Sequence, residues 1–177
     1  MRRISIPLRH MASSATTLQM PEAHFDMVRP GGCLYGLTGG QPVMTLKARV
    51  AHVRELPPDT FFGYRRTYRT RGAERMAVLP LGFSDGLPRA LSNRGHALIR
   101  GQKFPIVGIV CMDQTVVNVG QADIQVGDEA VLIGKQGGAE LTFQNLVELI
   151  EGTSPSELAS RLDRKSTRLN SSHRTYS

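Results

Sequence analysis

Met44, Leu46, Ala48 and Val50 alternate with Thr45, Lys47 and Arg49. Side chains of an extended chain point to opposite faces with a period of two, so this stretch specifies a strand buried on one face only. The alternation slips at Val50-Ala51 and continues through Val53, which predicts a bulge. Further on, residues 75–81 form a nearly continuous apolar run, a buried strand whose pairing ends at Pro80 for want of an N–H. Residues 96–99 and 104–110 flank a turn at Arg100-Gly101-Gln102-Lys103 and predict a hairpin. Residues 115–119 alternate again, and Val126-Gly127-Asp128 leads through a turn into a strand reaching Gly134. The period changes only near the end. Thr142 can cap a helix with Leu146, Val147, Leu149 and Ile150 on its apolar face and Gly152 closing it. Ser154-Pro155-Ser156-Glu157 is a capping box with proline at the first helical position, so a second short helix starts there. The fold class is mainly β, with one or two short helices.

Bulk properties narrow the function classes. The chain has 177 residues, 40% of them hydrophobic, enough for one core and a remnant of another domain. It contains no apolar run of the ~18 residues that cross a membrane, and Met1 to Pro7 lacks the sustained apolar segment of a signal peptide. Two cysteines, Cys33 and Cys111, suit a reducing compartment, so a cytoplasmic protein is expected. The formal charge of +7 invites a nucleic-acid reading, but residues 163–177 hold four of the 22 basic residues and one of the 15 acidic ones. What remains is scattered, and only Arg65, Arg66, Arg69 and Arg71 form a dense group. No nucleic-acid, membrane or metal partner is expected.

Chemistry concentrates in three stretches. In Phe61-Phe62-Gly63-Tyr64-Arg65-Arg66-Thr67-Tyr68, glycine permits a tight turn beside two phenols and two guanidiniums. Nearby positive charge favours a phenolate, which suits a tyrosine for proton transfer. By itself the segment reads first as an edge strand with snorkelling Tyr and Arg. Leu79-Pro80-Leu81-Gly82-Phe83-Ser84-Asp85-Gly86 and Val107-Gly108-Ile109-Val110-Cys111-Met112-Asp113-Gln114 follow in that order. Before all three come His10-Met11-Ala12-Ser13-Ser14-Ala15 and Phe25 through Gly36. Small and hydroxyl residues after a short apolar run suit a phosphate-contacting loop at the C-terminal end of a barrel strand, or an ordinary helix cap.

Together these stretches resemble the alanine racemase family, enzymes dependent on pyridoxal 5'-phosphate (PLP). The resemblance implies residues 1–36 as a remnant of the PLP-binding (β/α)8 barrel and residues 37–162 as the family's β-barrel-like C-terminal domain, with residues 37–42 as linker. It implies that Ser14 contacts the cofactor phosphate, that Arg29 faces the pyridine nitrogen, and that His10 hydrogen-bonds to Arg29. An arginine does not give up its proton, so the ring nitrogen facing it stays unprotonated. Tyr64 is the implied catalytic base for the L-face, Tyr68 being its rival, and the Met112 N–H the implied donor to the substrate carboxylate. Arg89 aligns with an arginine at the active-site entrance. In the family each site joins one subunit's barrel to the other subunit's β domain, so a homodimer of the full-length protein and an alanine substrate follow.

The sequence also departs from the family. Phe83 stands where tyrosine is usual, and Ile109 where arginine is common. The Schiff-base lysine belongs near the start of the barrel, and Lys47, Lys103, Lys135 and Lys165 all lie in other contexts. The expected final strand with its arginine-proline-arginine motif is not found, and Tyr176 does not take the role of that strand's tyrosine. Residues 163–177 lack periodicity and are expected to be a disordered, foreign tail. A fragment of alanine racemase, inactive alone, is the resulting expectation. A broad-specificity amino-acid racemase of the same fold is the alternative, or a barrel-less β module binding a polyanion through Arg65, Arg66, Arg69 and Arg71.

Overall fold

A computed structural model describes residues 6–169, with side chains through Leu162. The chain divides into two compact units, residues 1–44 and 45–177.

The smaller unit is one β-to-helix passage and a second short extended segment. Helix α1 (Ser14–Gln19) starts directly after Ser13, whose backbone is extended. His10 forms a parallel bridge with Met27, and the Arg29 N–H donates to the Ala12 carbonyl at 2.8 Å. Two parallel segments therefore run side by side, with Arg29 opposite Ala12. The second continues into a 3-10 turn, Gly32–Tyr35, closed by left-handed Gly36.

The larger unit is built on strands β1 (Leu46–Arg49), β2 (His52–Leu56), β3 (Phe61–Phe62), β4 (Tyr68–Arg69), β5 (Glu74–Leu79), β6 (His96–Ile99), β7 (Gln102–Pro105), β8 (Thr115–Gly120), β9 (Glu129–Gln136) and β10 (Ala139–Leu141). One antiparallel sheet has the order β1-β9-β6-β7, with β10 also on β9; a second is β2-β5-β8; β3 and β4 pair as a ribbon. The predicted strands are recovered with their faces, except that the hairpin arm expected over residues 104–110 is strand only through Pro105, as β7. β8 alternates buried and half-buried residues throughout, with Thr115, Val117 and Val119 inward. Leu98, Val131 and Leu141 pack together in the core, and Ala77 and Leu79 of β5 are buried on the other sheet, all nearly inaccessible. Burying each large aliphatic side chain contributes about 1.5–3 kcal/mol.

Two predicted details change. The slip at Val50-Ala51 is not a bulge within one strand. It separates β1 from β2, and the two adjacent amides serve different sheets: the Val50 N–H donates to Asp128 and the Ala51 N–H to Val78, each at 2.9 Å. At the far side an Ile106–Val117 bridge joins the end of β7 to β8. The two sheets are thereby closed into a barrel-like wall, and the lost register is a corner. The hairpin turn is also tighter than expected. Arg100 (φ 51°) and Gly101 (φ 75°) alone connect β6 to β7, the doubly left-handed turn whose twist matches that of its strands. Arg100 is held there by ion pairs to Asp123 and Asp128.

Helix α2 (Phe143–Val147) starts on the predicted cap, with the Thr142 hydroxyl accepting from the Asn145 N–H at 3.1 Å. Helix α3 (Pro155–Leu169) starts on the second, with Ser154 Oγ accepting from the Glu157 N–H at 3.2 Å. Its backbone continues past Asp163, where the tail was expected to begin, since Arg, Lys and Leu prolong a nucleated helix readily. The expectation for residues 170–177, Tyr176 included, lies outside the described residues. Among the described residues no helix is long and apolar enough to cross a membrane.

Candidate active site

In the larger unit, three loops carry the residues singled out above. The first is the turn between β3 and β4. Gly63 takes φ 72°, and Tyr64–Arg66 form a 3-10 turn in which Arg65 (φ 60°) and Arg66 (φ 52°) are both left-handed. This backbone turns Tyr64 outward, leaving it 69% exposed. Arg66 does not stand free beside the phenol; its guanidinium lies over the Phe61 ring, 4.3 Å from the centroid, with Arg69 over the same ring at 5.4 Å. Arg69 also pairs with Asp59 at 2.9 Å.

Tyr68 is placed differently. Its phenol donates to Glu74 Oε2 at 2.7 Å and accepts from Asn118 Nδ2 at 3.0 Å. Asn118 Nδ2 also donates to the same Glu74 oxygen at 2.7 Å, and Glu74 Oε1 accepts from the Arg71 N–H at 2.8 Å. Burial, then the Glu74 carboxylate, pushes the Tyr68 phenol above its ordinary pKa. Its ring packs against Phe62, with centroids 5.3 Å apart. Tyr68 is a strut between β4, β5 and β8, committed to its proton.

The second loop runs from Gly82 to Gly86, and the third from Gly108 to Gln114. They are stitched together by main-chain bonds. The Phe83 N–H donates to the Cys111 carbonyl at 2.9 Å, and the Ser84 N–H to the Met112 carbonyl at 2.8 Å. Gly82 lies so close to these carbonyls that a Cβ there would overlap both. Beneath them, Thr115 Oγ1 donates to the Leu81 carbonyl at 2.7 Å, and the Gly82 N–H donates to Asp85 at 2.9 Å. Leu162 of α3 packs on left-handed Gly86, so the helix backs the second loop. Phe83 and Met112 both reach solvent, and Met112 is 59% exposed. Among the described residues no acceptor within the chain takes up the Met112 N–H. Burial pushes the Cys111 thiol up, Asp113 adding to this and Arg89 opposing it. Cys111 is therefore a protonated neighbour rather than a nucleophile.

One residue not singled out in the sequence links the first loop to the third. Asn93, itself left-handed at φ 56°, donates from Nδ2 to Thr67 Oγ1 at 3.3 Å and accepts at Oδ1 from the Gly108 N–H at 2.7 Å. Beside it, Ser92 Oγ accepts from the Val110 N–H at 3.0 Å. Asparagine before Arg-Gly signals a turn, but nothing local in the sequence names its partners.

In the smaller unit, Ser14 is half-buried at the start of α1, and its Oγ accepts from the N–H groups of Gly31 (2.9 Å) and Cys33 (3.2 Å). With both amides donating to its oxygen, the Ser14 hydroxyl keeps its own O–H to donate, as to an anionic oxygen. Arg29 and His10 are both exposed. The expected hydrogen bond between them is not formed: Arg29 Nη2 donates, at 3.5 Å, to the Met11 carbonyl. The register explains this, since Arg29 lies opposite Ala12 and it is Met27 that pairs with His10.

The larger unit is thus a small antiparallel β-barrel-like domain that presents the Tyr64 phenol and the Met112 loop to solvent, and it follows a strand-and-helix segment in the chain. The family model described as alanine racemase, C-terminal domain, matches residues 43–170, and that of the N-terminal domain matches residues 1–39. The chain belongs to the alanine racemase family. It is 43% identical over 156 residues to the alanine racemase of Halothermothrix orenii, covering 82% of this chain and 41% of that one. With the alanine racemase of Carboxydothermus hydrogenoformans it shares 41% over 177 residues, covering 94% and 48%. Among solved structures, the alanine racemase of Bacillus anthracis with bound L-Ala-P superimposes with a TM-score of 0.82 at 30% identity, covering 88% of this chain and 42% of that one. The enzyme from D-cycloserine-producing Streptomyces lavendulae gives 0.82 at 34%, covering 90% and 44%. The chain spans less than half the length of these relatives.

Proposed function

We propose that this chain is the second half of an alanine racemase, which interconverts L- and D-alanine with PLP and supplies D-alanine for peptidoglycan. The observation that carries this reading is the pairing, in a chain of this family, of an outward phenol at Tyr64 with an uncommitted N–H at Met112 on interlocked loops.

The Ser14 hydroxyl fits the cofactor's phosphate, since the Gly31 and Cys33 amides hold its oxygen and leave its O–H to donate. Arg29 would face the pyridine nitrogen, which it leaves unprotonated because it keeps its own proton. PLP, when bound, supplies the electron sink that acidifies the substrate Cα–H. Tyr64 exchanges a proton at its phenol oxygen on the L-face, while Tyr68, already donating to Glu74, does not. The Met112 N–H donates to the substrate carboxylate, and a main-chain donor held by the Ser84–Met112 bond needs no side-chain ordering. The opposite face calls for a lysine outside the four in this sequence, so residues 1–177 alone do not racemise. Tyr64 and Met112 serve a partner subunit's cofactor in a cytoplasmic homodimer.

The test uses the full reading frame recovered from the source DNA, assayed with PLP for D-alanine formation from L-alanine. Turnover of alanine that collapses on Tyr64→Phe supports the reading. Equal turnover of many amino acids transfers it to a broad-specificity racemase, for which Phe83 in place of a tyrosine leaves room. No turnover by an intact, PLP-loaded enzyme defeats both.

A further inference from the structure

We infer that Asn93 is a positioning residue that fixes the turn carrying Tyr64 against the loop carrying Met112. This rests on the racemase reading for its catalytic meaning, and on geometry for its existence. The two groups reside on loops 48 residues apart in sequence, and a proton acceptor and a carboxylate donor acting on one small substrate must keep a fixed separation. The Asn93 amide spends one end on each loop: Nδ2 donates to Thr67 Oγ1, one residue beyond the Tyr64–Arg66 turn, and Oδ1 accepts from the Gly108 N–H.

A second contact joins the same two loops. A Cβ placed on Gly108 would lie 3.4 Å from the Phe62 ring, so β3 packs directly on the third loop where the chain takes φ 75°. Phe62 in turn packs on Tyr68, whose phenol is tied to β5 and β8. The rigid barrel thus holds one end of the ribbon, and Asn93 holds the turn. Ser92 extends the same fastening to Val110, two residues before Met112. Phe62 sets how closely the loops approach, while the Asn93 amide sets the turn's register along the loop, because a hydrogen bond is directional and a ring contact is not.

The test reads the loops rather than racemisation, so its failure and that of the racemase reading are separable. Residues 1–177 are labelled with 15N and with 13C in the methionine methyls. Asn93→Gly keeps the left-handed backbone but removes both ends of the amide; the Gly108 N–H is expected to exchange about three- to tenfold faster. Thr67→Val removes only the far end, at an exposed position that leaves the fold intact. Because the two loops are coupled, Thr67→Val is expected to shift the Met112 methyl resonance and to speed Gly108 exchange by about twofold. If Thr67→Val moves only resonances of the Tyr64 turn and leaves Gly108 and Met112 as in the parent, Asn93 serves its own loop and the inference is overturned.

Discussion

The phenol of Tyr68 donates to Glu74 at 2.7 Å, four residues after a tyrosine, Tyr64, that faces solvent. Substitution should separate the two. In the full-length enzyme Tyr64→Phe is expected to lower kcat by roughly 10²–10⁴, the usual contribution of a positioned acid or base, with unfolding unchanged. Tyr68→Phe should act on stability, lowering it by about 1–2 kcal/mol, because Asn118 and Glu74 lose a partner in a half-buried site. Urea unfolding of residues 1–177 measures the second effect without any assay of activity.

The same pair predicts an alkaline response. Burial and Glu74 hold the Tyr68 phenol above its ordinary value of 10.0 in the folded chain. A group raised on folding contributes fully below its unfolded pKa, and that contribution is lost as pH rises through the folded value. Stability should therefore fall more steeply above about pH 10 in the parent than in Tyr68→Phe. Comparing the two proteins removes the background from lysines and the remaining tyrosines. Parallel curves would show that Tyr68 contributes nothing to the slope.

Gly82→Ala should displace the Met112 loop. The added carbon would meet two main-chain carbonyls, those of Cys111 and Met112, which cannot swing aside as a flexible side chain would. A loss of about 1–3 kcal/mol is expected, with faster amide exchange at Phe83 and Ser84, whose bonds cross the same seam. Thermal unfolding and hydrogen exchange read the two parts separately.

Arg65→Gly should act the other way. Arg65 sits at φ 60° and forms no hydrogen bond or ion pair among the described residues. The left-handed region costs a Cβ-bearing residue about 1–2 kcal/mol, partly offset by the greater freedom glycine has when unfolded. A net gain of roughly 0.5–1 kcal/mol in unfolding free energy is expected by urea titration.

Local patterns carried most of this fold. Alternation placed β1 and β8 with the correct inward faces, and the caps at Thr142 and Ser154 marked two helix starts. Each of these signals is written within a few neighbouring residues. The corner at Val50-Ala51 is not, because a slip in alternation looks the same whether the chain bulges or changes sheets; only the acceptors, Asp128 and Val78, distinguish them. Strand β10 is three residues long, too short for a period to register. For the candidate site, the sequence supplied residue identities and the glycine that turns Tyr64 outward. It could not supply Asn93, whose partners lie 26 residues before it and 15 after, nor the separate register that keeps Arg29 away from His10.

The corner between Val50 and Ala51 has a consequence for how the β unit comes apart. Two adjacent peptide groups each carry a hydrogen bond to a different sheet, so neither sheet can open at that edge without pulling on the other. Fraying, which elsewhere begins at a sheet's free margin, has no starting point there. The larger unit should then lose its two sheets in one step, with the slowest-exchanging amides of both sharing a common opening free energy.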